Sequence, residues 1–210
     1  MKRIEIKGKI KNKVLKLELT QDNIDDVYKS LPMIIKICNR KYEIDLIYND
    51  EKIDIYYVTK NNIVDKKLID IIEVVHAINL KDIRKRFNYI YDTMCYKLDE
   101  KRKMNYCQFE NGICIKDRNK GSSHRNGCCE CKGRGKCKYL VDGVCTLDLC
   151  FACKLFTCNT LKRMGLSQSI NDFVLTKYFF TNKQKDILQF SYWTPKEVVM
   201  KRLLSSCRKL

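Results

Sequence analysis

Cysteine is concentrated in one segment of this chain. Ten of its 13 cysteines lie between Cys107 and Cys158, whereas the rest of the 210 residues hold three. Thiolates bind zinc and iron–sulfur clusters tightly enough for a loop-rich segment to fold around the metal. The sequence therefore predicts a metal-bound module with ligands from this segment. The predicted ligands are Cys107, Cys114, Cys128, Cys129, Cys131, Cys137, Cys145, Cys150, Cys153 and Cys158.

A disulfide framework is the other common use of such a cysteine density, and it belongs to secreted chains. The opening residues Met1–Lys9 carry charges at every second or third position and contain no apolar signal-peptide core. No run in the sequence approaches the roughly 20 apolar residues that cross a bilayer. We therefore expect a cytoplasmic protein whose cysteines stay reduced and bind metal.

The spacing Cys145-x4-Cys150-x2-Cys153-x4-Cys158 is the most regular part of the segment. Its bulky intervening side chains suit a tetrathiolate zinc site or a four-iron cluster better than a two-iron ferredoxin loop. Ten cysteines supply two four-ligand sites, but the spacing does not determine which cysteines share a site. His124, in a basic loop rich in Gly and Ser, is a further possible ligand or phosphate contact. Zinc and iron–sulfur clusters remain alternatives.

Positive charge accompanies the cysteines. The net charge of the chain is +17, and residues 101–166 hold 14 lysines and arginines against 5 acids. A basic segment of this kind favours a polyanion partner, most simply nucleic acid, although a lysine-rich genome produces similar compositions. The predicted contacts are Arg118, Lys120, Arg125, Lys132, Arg134, Lys136 and Lys138.

Two other functions are compatible with the sequence. One is an iron–sulfur redox or cluster-dependent enzyme that acts on an acidic or phosphorylated partner. The other is a protein-interaction adaptor that uses the N-terminal sheet edge. The sequence does not identify a reaction, so whether the protein is an enzyme stays open.

The predicted fold is α+β, with an N-terminal antiparallel sheet and helices, a central Cys-rich metal-bound loop module and a helical C-terminus. The predicted domains are 1–104, 105–166 and 167–210, with the C-terminal helices packed on the metal module. The predicted strands are Lys2–Ile6, Val14–Leu19, Met33–Cys38, Tyr42–Tyr48 and Ile53–Val58. The predicted helices are Asp22–Leu31, ending before Pro32, then Asp65–Asn79, Lys81–Met104, one that begins near Leu147, and Ser169–Phe180.

The last predicted helix begins at Thr194-Pro195-Lys196-Glu197, which has the residues of a capping box with proline at the first helical position. Just before it, Tyr192 and Trp193 lie among basic residues, as in surfaces that stack nucleic-acid bases. Trp193 also fits a hydrophobic staple that packs against the helix.

A resemblance adds to this interpretation. The stretches Gly127-Cys128-Cys129, Cys137-Lys138-Tyr139-Leu140, Val144-Cys145-Thr146 and Cys153-Lys154-Leu155-Phe156-Thr157-Cys158 resemble a pattern in small uncharacterised cysteine-rich proteins of anaerobic bacteria. The resemblance implies a bacterial cytoplasm and a bound metal. It implies nothing about a substrate.

Overall fold

The structure is a computed structural model that describes residues 14–38, 41–104, 106, 108, 140–141, 144–145 and 151–207. The predicted strand Lys2–Ile6 lies outside these residues. Among the described residues the fold is α+β, with an N-terminal sheet and a helical C-terminus, as predicted.

The elements follow one another in a mixed order of strands and helices. They are β1 (Val14–Leu19), α1 (Ile24–Cys38), β2 (Glu43–Tyr48), β3 (Glu51–Ile53), α2 (Ile55–Lys60), α3 (Lys66–Asn79), α4 (Ile83–Arg102), β4 (Leu140–Val141), β5 (Val144–Cys145), α5 (Phe151–Leu155), α6 (Asn159–Arg163), a 3₁₀ turn (Ile170–Asp172), α7 (Val174–Phe179), α8 (Asn182–Phe190) and α9 (Lys196–Cys207).

The N-terminal sheet has the strand order β1-β2-β3 and is mixed. β1 pairs with β2 in parallel, from Val14 opposite Glu43 to Leu19 opposite Tyr48. This parallel pair corrects the prediction of an antiparallel sheet, whereas β2 and β3 are antiparallel. The cause is the connection, because a 15-residue helix between β1 and β2 carries the chain back to the same end of the sheet.

Helix α1 continues through Pro32, so the prediction that a helix ends there and a strand Met33–Cys38 follows is wrong. The buried residues Leu31, Ile34, Ile35 and Cys38 recur at helical spacing. Pro32 itself is exposed. Burial of one continuous apolar face therefore outweighs the hydrogen bond that proline removes from the helix.

The predicted strand Ile53–Val58 is also wrong beyond its first residue. The Asp54 carboxylate accepts a hydrogen bond from the Tyr56 N–H at 2.9 Å and caps helix α2. An N-cap carboxylate satisfies a backbone donor that has no partner inside the helix. This local bond accounts for a helix in a run of strand-forming residues.

The two long helices were predicted correctly. Helix α3 begins after Asp65, whose carboxylate accepts from the Lys67 and Leu68 N–H groups. Helix α4 runs from Ile83 to Arg102. α3 packs against α1, β2 and α7, so its buried apolar residues form much of the N-terminal core.

The chain divides into two compact units, Met1–Ile90 with Val174–Phe180, and Tyr91–Phe173 with Thr181–Leu210. In the second unit α8 packs against both α5 and α9. The predicted domain boundaries near residues 104 and 166 stay predictions, since most of the segment between them lies outside the described residues.

The predicted helix Ser169–Phe180 is interrupted. It consists of the 3₁₀ turn and α7, separated by Phe173 in an extended conformation. Ser169 caps the turn, and its side chain accepts from the Asn171 N–H at 3.2 Å.

The predicted start of the last helix is correct, but Thr194 does not cap it: its hydroxyl donates to the Tyr192 carbonyl at 3.1 Å.

Candidate metal centre

Part of the predicted ligand set is described. Cys153 and Cys158 are described in full, and Cys145 lies in strand β5. The other predicted ligands lie outside the described residues, and so do His124 and every predicted nucleic-acid contact. The predicted ligands outside are Cys107, Cys114, Cys128, Cys129, Cys131, Cys137 and Cys150.

A short hairpin carries the first of these described positions. β4 and β5 are antiparallel, with Leu140 opposite Cys145 and Val141 opposite Val144. Only two residues, Asp142 and Gly143, separate the strands in the sequence. The hairpin places Cys145 at the end of a strand, five residues before Cys150.

Helix α5, between Cys150 and Cys158, is held by aromatic contacts to the part of α4 that belongs to the same unit, from Tyr91 onward. The Phe151 N–H donates to the Tyr91 hydroxyl oxygen at 3.1 Å, and the two ring centroids are 5.9 Å apart. Both side chains are almost fully buried. Because an N–H at the first turn of a helix has no partner inside the helix, the tyrosine hydroxyl satisfies a donor that would otherwise be buried and unpaired.

An ion pair adds a second attachment for this helix. The Lys154 ammonium group pairs with the Asp99 carboxylate of α4. The Lys154 side chain is 10% exposed, whereas that of Asp99 is 44% exposed. Since one partner remains in water, the pair contributes less than a buried one, on the order of 1 kcal/mol or below. Packing of Phe151 therefore dominates the attachment.

The helix predicted to begin near Leu147 is divided in the described residues. α5 ends where the Phe156 N–H donates to the Ala152 carbonyl at 3.1 Å, and α6 begins where the Lys162 N–H donates to the Cys158 carbonyl at 3.0 Å. Cys158 thus lies in the break between the two helices and is 8% exposed, while Cys153 is half-buried.

The donor set suits a soft metal. Thiols are the ligands that zinc, copper(I) and iron–sulfur clusters prefer. In the part of the chain that the structure describes, no group of three or more Cys, His, Asp or Glu side chains lies close enough together to hold a metal ion.

Three cysteines lie outside the predicted ligand set. Cys38 and Cys95 are buried, and Cys207 is half-buried. Burial raises the pKa of the Cys38 thiol, with the nearby Lys81 charge acting in the opposite direction. A thiol in such surroundings stays protonated and packs as a small apolar group.

The sequence also singled out the aromatic residues near the C-terminus. Phe180 is buried and its ring centroid lies 5.0 Å from that of Phe87, so it belongs to the core of the first unit. Tyr192 and Trp193 instead form a turn between α8 and α9, with half-buried rings whose centroids are 5.9 Å apart. The turn contains Tyr192 and Trp193, which the sequence predicts as a possible base-stacking surface.

None of the helices in the described residues combines the length and the apolar character that crossing a membrane requires. In comparisons with known proteins, no family model, no curated protein and no solved structure matches the chain.

Proposed function

We propose that residues 107–158 form a thiolate-held metal module and that its basic loops bind nucleic acid. The observation that carries this proposal is the coincidence of ten cysteines with a strong excess of positive charge in one part of the chain. Metal ligation explains the cysteines, and a polyanion partner explains the charge that ligation leaves over.

The charge arithmetic supports a partner. A site of four thiolates around Zn(II) carries a net charge of −2, so two such sites lower the formal charge from +17 to about +13. Local lysines and arginines also stabilise thiolates by lowering their pKa. The net positive charge of about +13 that remains is not needed to neutralise the two metal sites, so it is available to attract a polyanion.

The attachment of helix α5 supports a structural role for the metal. Phe151 fixes the start of this helix on Tyr91, directly after the predicted ligand Cys150. Cys153 lies in this helix, and the carbonyl of Cys158 accepts a hydrogen bond from the Lys162 N–H in the next one. Cys153 and Cys158 thus belong to a segment attached to α4, which suits the supporting contacts that an ordered metal site requires.

The contacting loop is a short stretch with glycines between cations. Lys132, Arg134, Lys136 and Lys138 alternate with Gly133, Gly135 and Cys137 between predicted ligands. Glycines let the backbone approach a phosphate closely, while the cysteines on both sides fix the ends of the loop. We propose that these cations contact phosphates and give binding without strong sequence preference.

Anaerobic metal and sulfide analysis tests the first half of the proposal. Protein purified without oxygen is expected to hold about two zinc ions, or iron and sulfide in equal amounts with absorbance near 400 nm. The second result would favour the iron–sulfur enzyme among the alternatives. Protein that holds neither zinc nor iron after anaerobic purification would contradict the metal module.

Binding to a labelled oligonucleotide at several salt concentrations tests the second half. Each phosphate contact that is lost should reduce the slope of log K against log salt by about one and weaken binding evenly across sequences. Arg134→Ala is the test variant, and Lys66→Ala, which removes an exposed charge in the first unit, is its control. Absence of binding at low ionic strength, or equal slopes for both variants, would contradict the proposal.

A further inference from the structure

A turn between the two last helices brings aromatic side chains together. Tyr192 and Trp193 connect α8 to α9, and their rings lie 5.9 Å apart at an interplanar angle of 50°. Phe190, at the end of α8, is 62% exposed. Three aromatic residues within four positions therefore reach the surface of the second unit.

Trp193 has a backbone conformation that is unusual for a bulky residue. Trp193 has a φ of 54°, in the left-handed region that favours glycine. A bulky side chain is strained there, and strained residues persist where surrounding structure or function requires them. The turn itself would form more easily with glycine, so turn formation does not explain the tryptophan.

An arginine of α9 contacts the turn. Arg202 of α9 reaches it directly, because its Nη1 donates to the Ser191 hydroxyl oxygen at 3.2 Å. Arg202 and the adjacent Lys201 are exposed. From Thr181 to Cys207 the chain holds five lysines and arginines against two acids. A guanidinium has five N–H donors in a planar fork, so one bond to Ser191 leaves donors for a phosphate.

We propose that the Tyr192–Trp193 turn is a stacking site for a base of single-stranded nucleic acid, with Arg202 and Lys201 contacting its phosphates. The proposal rests on the proposed function and narrows the nucleic acid to single strands. Every base has a π-face that an aromatic ring can stack on, whereas bases inside a duplex are already stacked on each other. Aromatic rings beside cations are the combination that single-strand binding uses.

Trp193 is the single tryptophan of the chain, so its fluorescence reports on this turn alone. Wild-type protein is titrated with a deoxythymidine oligonucleotide, with an abasic oligonucleotide of equal length and with a duplex. We expect quenching by the first and little change with the other two. The abasic strand carries the same phosphates, so it separates stacking from electrostatic attraction.

Affinity for the labelled thymidine strand is then measured by anisotropy in two variants. Trp193→Phe keeps a ring and should bind within about threefold of wild type. Trp193→Gly removes the ring while relieving the left-handed strain, and should bind roughly 5- to 100-fold more weakly, the loss of one base stack. Arg202→Gln should weaken binding and reduce its salt dependence.

The outcomes separate this inference from the proposed function. Strong binding without fluorescence change, and with equal affinity of Trp193→Phe and Trp193→Gly, would overturn the stacking site and leave the basic loop as the binding surface. No binding of wild-type protein to any strand at low salt would overturn both. If Trp193→Gly fails to fold in a circular dichroism check, the wild-type quenching and the Trp193→Phe affinity decide the result.

Discussion

A buried arginine closes the end of helix α3. Arg86 is 2% exposed, and its Nε donates to the Leu80 carbonyl at 3.0 Å while Nη2 donates to the Ile78 carbonyl at 3.3 Å. Its guanidinium carbon lies 5.9 Å from the centroid of the Phe179 ring. Carbonyls of the last helical turn have no donor within the helix, so this side chain supplies what the helix cannot.

Replacing this arginine should be costly. Arg86→Met keeps the length of the side chain but leaves the Ile78 and Leu80 carbonyls without these donors. We expect a loss of about 2–3 kcal/mol in the free energy of unfolding, measured by urea denaturation. The neighbouring Lys85→Met removes an equal charge at an exposed position and should cost under about 0.5 kcal/mol. Similar losses in both variants would show that the Arg86 hydrogen bonds contribute little.

His76 makes stability depend on pH. Burial lowers its pKa, and the Asp54 charge opposes this to a smaller extent. Its ring lies against Tyr89, with centroids 4.5 Å apart. The unfolded chain therefore takes up the proton first, at its usual pKa of about 6.5, and the folded protein only at a lower pH.

The sign of the effect follows from this order of protonation. Stability that is present above pH 7 should decline as the pH falls through about 6.5 toward the lower folded value. His76→Phe keeps a ring against Tyr89 but cannot titrate, so its urea midpoint should change less between pH 7.5 and pH 5.5, a range of about two units around that pKa. Each protein is compared with its own midpoint at the higher pH. Parallel curves for the two proteins would assign the pH dependence to other groups.

At the scale of elements, α8 has the best-defined start of the C-terminal helices. The Thr181 hydroxyl accepts from the Gln184 N–H at 3.3 Å, and the Gln184 side-chain oxygen accepts from the Thr181 N–H at 3.0 Å. Gln184 is buried and also donates to the Ser206 hydroxyl of α9 at 3.1 Å. One residue thus completes a cap and joins two helices.

Two threonines with the same local pattern should respond differently to alanine. Thr181→Ala removes a cap and should cost about 1 kcal/mol of stability. Thr194→Ala removes only the hydroxyl bond to the Tyr192 carbonyl, so we expect less than half of that loss. Thermal denaturation followed by circular dichroism measures both. A larger loss at Thr194 would mean that it, and not Thr181, carries the main cap of this region.

The same contrast shows what the sequence could predict of the fold. Both threonines precede a Glu or Gln by three residues, and sequence alone selected Thr194 because proline follows it. Long helices such as α3 were predicted well, since their apolar residues recur at the helical period and so identify the buried face. Met33–Cys38 was misread because Pro32 and the β-branched residues pointed to a strand, while the helical spacing of its buried residues continued from Leu31.

Some features of the candidate metal centre could be predicted from the sequence, and others could not. A dense run of cysteines predicts thiolate ligands from composition alone. The attachment of α5 to Tyr91 was not predictable, because the two residues are 60 positions apart and nothing in either local pattern identifies the other. The break in the helix at residues 156–158 was also missed, since the apolar residues Leu155 and Leu161 lie on both sides of it.

At the scale of the whole molecule, apolar residues are unevenly distributed. The core residues Leu31, Ile71, Val74 and Ile78 are almost completely buried in the first unit. From residue 107 to residue 139 the sequence offers, apart from cysteine, only Phe109, Ile113, Ile115 and Tyr139 as large apolar side chains. So few side chains cannot offset the conformational entropy of ordering more than 30 residues, which costs on the order of 1 kcal/mol each.

We propose that metal ligation supplies the folding free energy that apolar burial does not supply here, since structural zinc sites contribute on the order of 10 kcal/mol to folding. Removing metal with a strong chelator under reducing conditions should therefore speed amide hydrogen exchange between residues 107 and 158. Exchange in α3 should stay slow, because its core contains no predicted ligand. Returning the metal should restore protection, which separates loss of the ion from damage to the thiols. Unchanged exchange between residues 107 and 158 after complete metal removal would mean that this segment is ordered by something other than its cysteines.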